Sequence, residues 1–200
     1  MFDILGLSAH IINNKIRQMD HSSSTEAIQN LGQWLGQSDM QVRQVVQIAA
    51  QKGDGDPIPG LLEFVRGENV VLALAAIQAL VYFAPDENDP IRRSQIVQVL
   101  LHELSHNRPP TQPTSEATDN ARRSLHACSA ETLGRMGDRL AVNGLINALR
   151  DENPAAVRQA AWALGRVGDA RAVPHLRDLL FSSDPEIRSA ANIALHALNG

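Results

Sequence analysis

Apolar residues recur along most of the chain at intervals of three and four. Within 154–167, Val157, Ala160, Ala161 and Leu164 fall at i, i+3, i+4 and i+7, which places them on one face of an α-helix. Leu5, Ala9, Ile12 and Ile16 keep the same period near the start. They predict an amphipathic helix over 2–18, within an N-terminal segment 1–20 that docks on its neighbour or on a partner. Read onward, the pattern and its interruptions predict five antiparallel pairs: 24–36 with 39–52, 57–66 with 69–84, 89–106 with 116–135, 139–150 with 154–167, and 171–181 with 185–199. No strand is needed anywhere. The one long break, Asn107-Arg108-Pro109-Pro110-Thr111-Gln112-Pro113-Thr114, is too rich in proline for a helix and predicts a mobile surface loop over 107–118.

The pairs are repeats. Leu133-Gly134-Arg135-Met136-Gly137-Asp138 returns as Leu164-Gly165-Arg166-Val167-Gly168-Asp169, and Asn153-Pro154 returns as Asp184-Pro185, a spacing of about 30 residues. A fainter echo aligns Val42-Arg43-Gln44, Gly53-Asp54, Pro59 and Leu61 with Val157-Arg158-Gln159, Gly168-Asp169, Pro174 and Leu176 at one constant offset. In each unit the glycine suits a left-handed helix end, and the Asn or Asp before proline suits the N-cap of the next helix. A two-helix unit cannot bury its apolar face alone, so the units must stack. The expected fold is therefore all-α: a single domain over 1–200, built as a curved, right-handed α-solenoid of about five helix pairs plus the N-terminal helix.

Composition narrows the function classes. With 44% hydrophobic and 20% charged residues the chain has the makings of a core and is no disordered tail. The formal charge of -4 argues against nucleic acid as the main partner, since phosphate tracking needs a basic stripe. Among the 18 basic residues only Lys15 and Lys52 are lysines, so positive charge sits almost wholly on arginines suited to carboxylates and aromatic faces. The longest apolar run, Val70 to Ala84, is interrupted by Gln78 and too short for a membrane span. The first 20 residues lack a basic leader and a cleavage site, and the single cysteine, Cys128, fits a reducing compartment. A soluble, cytoplasmic protein is expected.

The unit LGRMGDRLAVNGLINALRDENPAAVRQAAWALGRVGDARAVPHLRDLL resembles HEAT repeats of the phycobilisome-lyase type, strongly from Leu125 onward and more weakly from Ser24 to Ala84. The stretch Asn120-Ala121-Arg122-Arg123-Ser124-Leu125-His126-Ala127 is similar to bilin lyase subunits of that family, in which an inserted loop precedes an arginine-led helix. The resemblance implies HEAT-like pairs, best matched over 119–200. It also implies a scaffold that binds a phycobiliprotein or another photosynthetic-apparatus client on its concave face, as a bilin lyase subunit or chromophorylation chaperone. No cofactor would be tightly bound, and a linear tetrapyrrole (phycobilin) would pass through transiently. Other members of that family are adaptors with no pigment role, so a non-catalytic protein-protein adaptor is the alternative.

Candidate chemistry falls at a few places. Arg158, Trp162 and Arg166 lie at i, i+4 and i+8, a stripe able to pair with propionates, stack on a pyrrole ring or anchor a protein partner. The same residues also fit an Asp/Arg ladder between stacked repeats, with Trp162 filling an inter-repeat groove. Arg135 and Arg166 occupy equivalent repeat positions and are less tied to a nearby acid, which makes these two the better ligand candidates; Arg122 and Arg123 join them at the head of their helix. His102-Glu103-Leu104-Ser105-His106 spells HExxH, a zinc-hydrolase pattern on a helix that stops almost at once. Cys128, near His126, Arg122 and Arg123, reads either as a nucleophile with a lowered pKa or as a small buried hydrophobe. Gly53-Asp54-Gly55-Asp56 is a repeat turn rather than a calcium loop, for it lacks the closing Glu. Ile193 and Leu198 on the last helix are expected to be exposed and covered by a second subunit or a homodimer mate.

Overall fold

The computed structural model describes residues 40–53, 55–84, 87–105 and 116–199. Among them the chain forms nine α-helices and no strand: α1 Met40–Lys52, α2 Pro57–Arg66, α3 Val70–Phe83, α4 Pro90–Ser105, α5 Glu116–Met136, α6 Val142–Ala148, α7 Pro154–Val167, α8 Val173–Asp178 and α9 Pro185–Asn199. The predicted helices over 2–18 and 24–36 lie outside the described residues, as does most of the loop over 107–118. Residues 116–118 of that loop instead form the first turn of α5.

Local chemistry sets these boundaries. Asn69, Asn153 and Asp56 each turn a side-chain oxygen onto the opening N–H groups of the following helix, at 3.0–3.1 Å. Proline opens α2 and α7, where the missing N–H costs nothing. At the far end of α7 Gly168 closes the helix with φ +75°, a left-handed conformation that a side chain would resist. The first helices of the last two pairs are each split. Asp138 and Asp169 start short 3-10 turns, Arg139–Ala141 and Ala170–Ala172, before α6 and α8 begin.

Packing then makes an array. Helices α1, α3, α5, α7 and α9 stack in succession as one row. Helices α2, α4 and α6 form a second row, each against its own hairpin mate. Leucines and isoleucines between the rows, among them Leu61, Ile77, Leu80, Ile96, Leu100, Leu133, Leu145 and Leu164, are fully buried in one continuous core. Each contributes about 1.5–3 kcal/mol relative to an exposed position. An all-α solenoid is the result.

The repeating glycine sets the stacking distance. A Cβ on Gly134 would stand 2.6 Å from Ala163 Cβ and 2.7 Å from its Cα; one on Gly165 would stand 2.9 Å from Ala194 Cα. Helix α5 thus rests on α7, and α7 on α9, through the same backbone-to-alanine contact. Gly60 meets Ala49 in the same manner between α2 and α1. Among the described residues no helix is long and apolar enough to cross a membrane.

Candidate functional site

Stacking carries the 158–166 stripe of α7 between α5 and α9. A shallow groove of about 340 Å³ opens there, lined by Glu131 of α5, Arg158, Gln159 and Trp162 of α7, and Ala190 and Ile193 of α9. Trp162 is half-buried at its centre, and Ile193 is 61% exposed along one wall. Each of three consecutive repeats supplies one side.

The arginines of this face are all engaged. Arg158 Nη1 reaches forward to the next unit, 3.1 Å from Glu186 Oε2 and 3.7 Å from Asp184 Oδ2. Asp184 also caps α9, accepting from Glu186 N at 2.8 Å. This is the inter-repeat ladder that the sequence allowed, with acids of the following unit as partners. Asp151 takes His126 Nδ1 at 2.5 Å, while Arg188 Nη1 donates to the carbonyls of Ser182 and Ser183. Arg166 lies over the Trp162 ring, 5.2 Å from its centroid, and its Nε donates to Gly134 O at 3.3 Å. That carbonyl belongs to the last turn of α5, where a cation also meets the negative end of the helix dipole.

Arg135, expected to be less tied to a nearby acid, is held by Glu131. Its Nε and Nη2 lie 3.1 and 3.0 Å from Glu131 Oε1, an i,i+4 pair on α5. The groove therefore brings Arg158 and Trp162 together directly, with Arg135 and Arg166 at its edge through Glu131 and the indole. Arg123 stands apart, about 18 Å along the α5 axis from Arg135. Its carbonyl accepts from the Asn153 side chain. The Arg122 side chain lies outside the described residues.

Two other candidates change character. Cys128 packs against the core, and burial pushes its thiol up to about 11, with the Glu131 carboxylate adding to the shift. The lowered pKa of the nucleophile reading is thus overturned, because the nearest charge is negative and His126 is committed to Asp151. In the HExxH stretch His102 is exposed and Glu103 is buried toward the core, while His106 lies outside the described residues. Among the described residues no three His, Cys, Asp or Glu side chains come together as a metal site would require. At the last helix Ile193 is exposed as expected, but Leu198 is half-buried against the core.

Sequence reasoning found Trp162 and Arg158 and missed Glu131, Gln159 and Ala190. The i,i+4 spacing of Glu131 and Arg135 was a usable signal. The approach of α9 to α7 was not visible in either helix alone.

No curated protein matches the chain. The fold is similar to that of the crystal structure of an engineered protein, a Northeast Structural Genomics Consortium target, with TM-score 0.52 and 19% sequence identity, over 79% of this chain and 71% of that one. At that identity the likeness bears on the fold alone. The segment holding the groove, residues 113–196, matches the HEAT repeats family.

Proposed function

We propose that the protein is a HEAT-repeat scaffold whose groove across α5, α7 and α9 holds a protein client, with no covalent step carried by its own residues. The observation that carries this reading is Trp162. A half-buried indole sits beside exposed Ile193 at the meeting point of three repeats, the kind of aromatic anchor that dominates binding energy at interfaces. In the finer reading, supported by the resemblance of the 133–180 repeats to the phycobilisome-lyase type, the client is a phycobiliprotein subunit. A linear tetrapyrrole would be held only in transit, so the contribution to chemistry is positioning. The adaptor alternative uses the same groove without pigment.

The test pairs the purified protein with apo-phycobiliprotein subunits, with and without free phycobilin. Binding is measured by calorimetry and pigment by visible absorption. Saturable binding that falls at least tenfold in Trp162→Ala and Ile193→Asp supports the scaffold, as a lost hot spot costs about 2 kcal/mol or more. A shifted bilin band in the ternary mixture supports the pigment role, and binding with an unshifted band makes the protein an adaptor. Absence of any binding overturns the phycobiliprotein reading.

A further inference from the structure

Charge at the groove is unevenly spent. Arg135 is held by Glu131, Arg158 by Asp184 and Glu186, and Arg166 by the indole and the Gly134 carbonyl. An incoming carboxylate would have to share a guanidinium already turned toward one of these partners. The acids differ: both bonds from Arg135 go to Glu131 Oε1, and among the described residues Glu131 Oε2 has no partner while Glu131 lines the groove. Its side chain is 29% exposed, within reach of a ligand yet partly desolvated. From Glu131 the groove runs over Trp162 to the apolar wall of Ala190 and Ile193.

We infer that the groove selects a client segment bearing a basic side chain next to an aliphatic one: the lysine or arginine head meets Glu131 Oε2, its methylenes lie on Trp162, and the aliphatic neighbour packs on Ile193. The inference rests on the groove reading above and adds its chemical selectivity. Arg166 already demonstrates that this indole accepts a cation over its ring. A long basic side chain offers both parts the groove asks for, an apolar stem and a charged tip.

Fluorescein-labelled seven-residue peptides of alternating alanine and leucine, with lysine, norleucine or glutamate at the centre, provide the probe. Anisotropy is followed against the full chain. The lysine peptide is expected to bind about tenfold more tightly than the norleucine peptide, and the glutamate peptide more weakly than either. Glu131→Gln should remove the lysine advantage and leave norleucine binding unchanged, with unaltered circular dichroism. Equal binding of lysine and glutamate peptides, an unchanged lysine advantage in Glu131→Gln, or no binding of any peptide overturns the inference. If norleucine binding persists and depends on Trp162 while charge makes no difference, the groove reading stands and only the selectivity falls.

Discussion

Cys128 shows how one residue's surroundings reverse a reading made from its neighbours in sequence. Helix geometry points His126 to Asp151 and brings Glu131, three residues on, toward the sulfur. With its thiol near 11, less than about one molecule in a thousand is thiolate at pH 8. Alkylation of Cys128 by iodoacetamide should therefore be slow at neutral pH and rise about tenfold per pH unit toward 11. A rate that levels off near pH 8 would contradict the burial. Asp169 moves the other way. Hydrogen bonds from the Arg171 guanidinium and backbone lower its carboxyl to about 2. A depressed carboxyl stabilises the fold fully above the unfolded value near 4, and that stabilisation is lost as pH falls through about 2. Carboxyl carbon shifts followed by NMR should place the Asp169 midpoint near 2 at low salt and move it upward as salt screens the pair.

At the scale of elements, the glycine of each Leu-Gly-Arg triplet decides how near two helices lie. Replacing it with alanine gains about 1 kcal/mol in helix propensity. At Gly134, however, the new methyl would sit 2.7 Å from a backbone Cα, and overpacking of that kind costs about 1–3 kcal/mol. Because the obstructing atom is backbone, the cost lies at the upper end and wins. Gly134→Ala should lower the urea midpoint, whereas Ser189→Ala on the exposed face of α9 should leave it nearly unchanged. The turns show where a gapless alignment misleads. It paired Gly53 with Gly168, yet Gly55 takes the positive φ of 98° and Asp56 the cap, because this turn is two residues longer. Nor did the apolar period reveal the 3-10 turns, since it records which side is buried and not how tightly the first turn is wound.

For the whole molecule, the hairpins from 57 to 199 were legible because periodicity, caps and proline positions agreed with one another. The candidate site was legible only in part. Trp162 and Arg158 stood out on one helix, but the groove is assembled from three, and contacts such as Arg166 to Gly134 O span 32 residues. Arg93 of α4 makes the same point. It reaches Asp138 at 3.2 Å and the carbonyl of Met136, tying both rows at one junction, although nothing near it in sequence announces the link.

The Gly134–Ala163 and Gly165–Ala194 contacts repeat at one fixed interval, 31 residues. The chain is consequently modular in the sense of a ruler with equal divisions. A second copy of residues 154–184 set between Asp184 and Pro185 would present alanine to Gly165 and its own glycine to Ala194. Both flanking units would meet surfaces they already fit, and the array would lengthen by one division with a second tryptophan in line with the first.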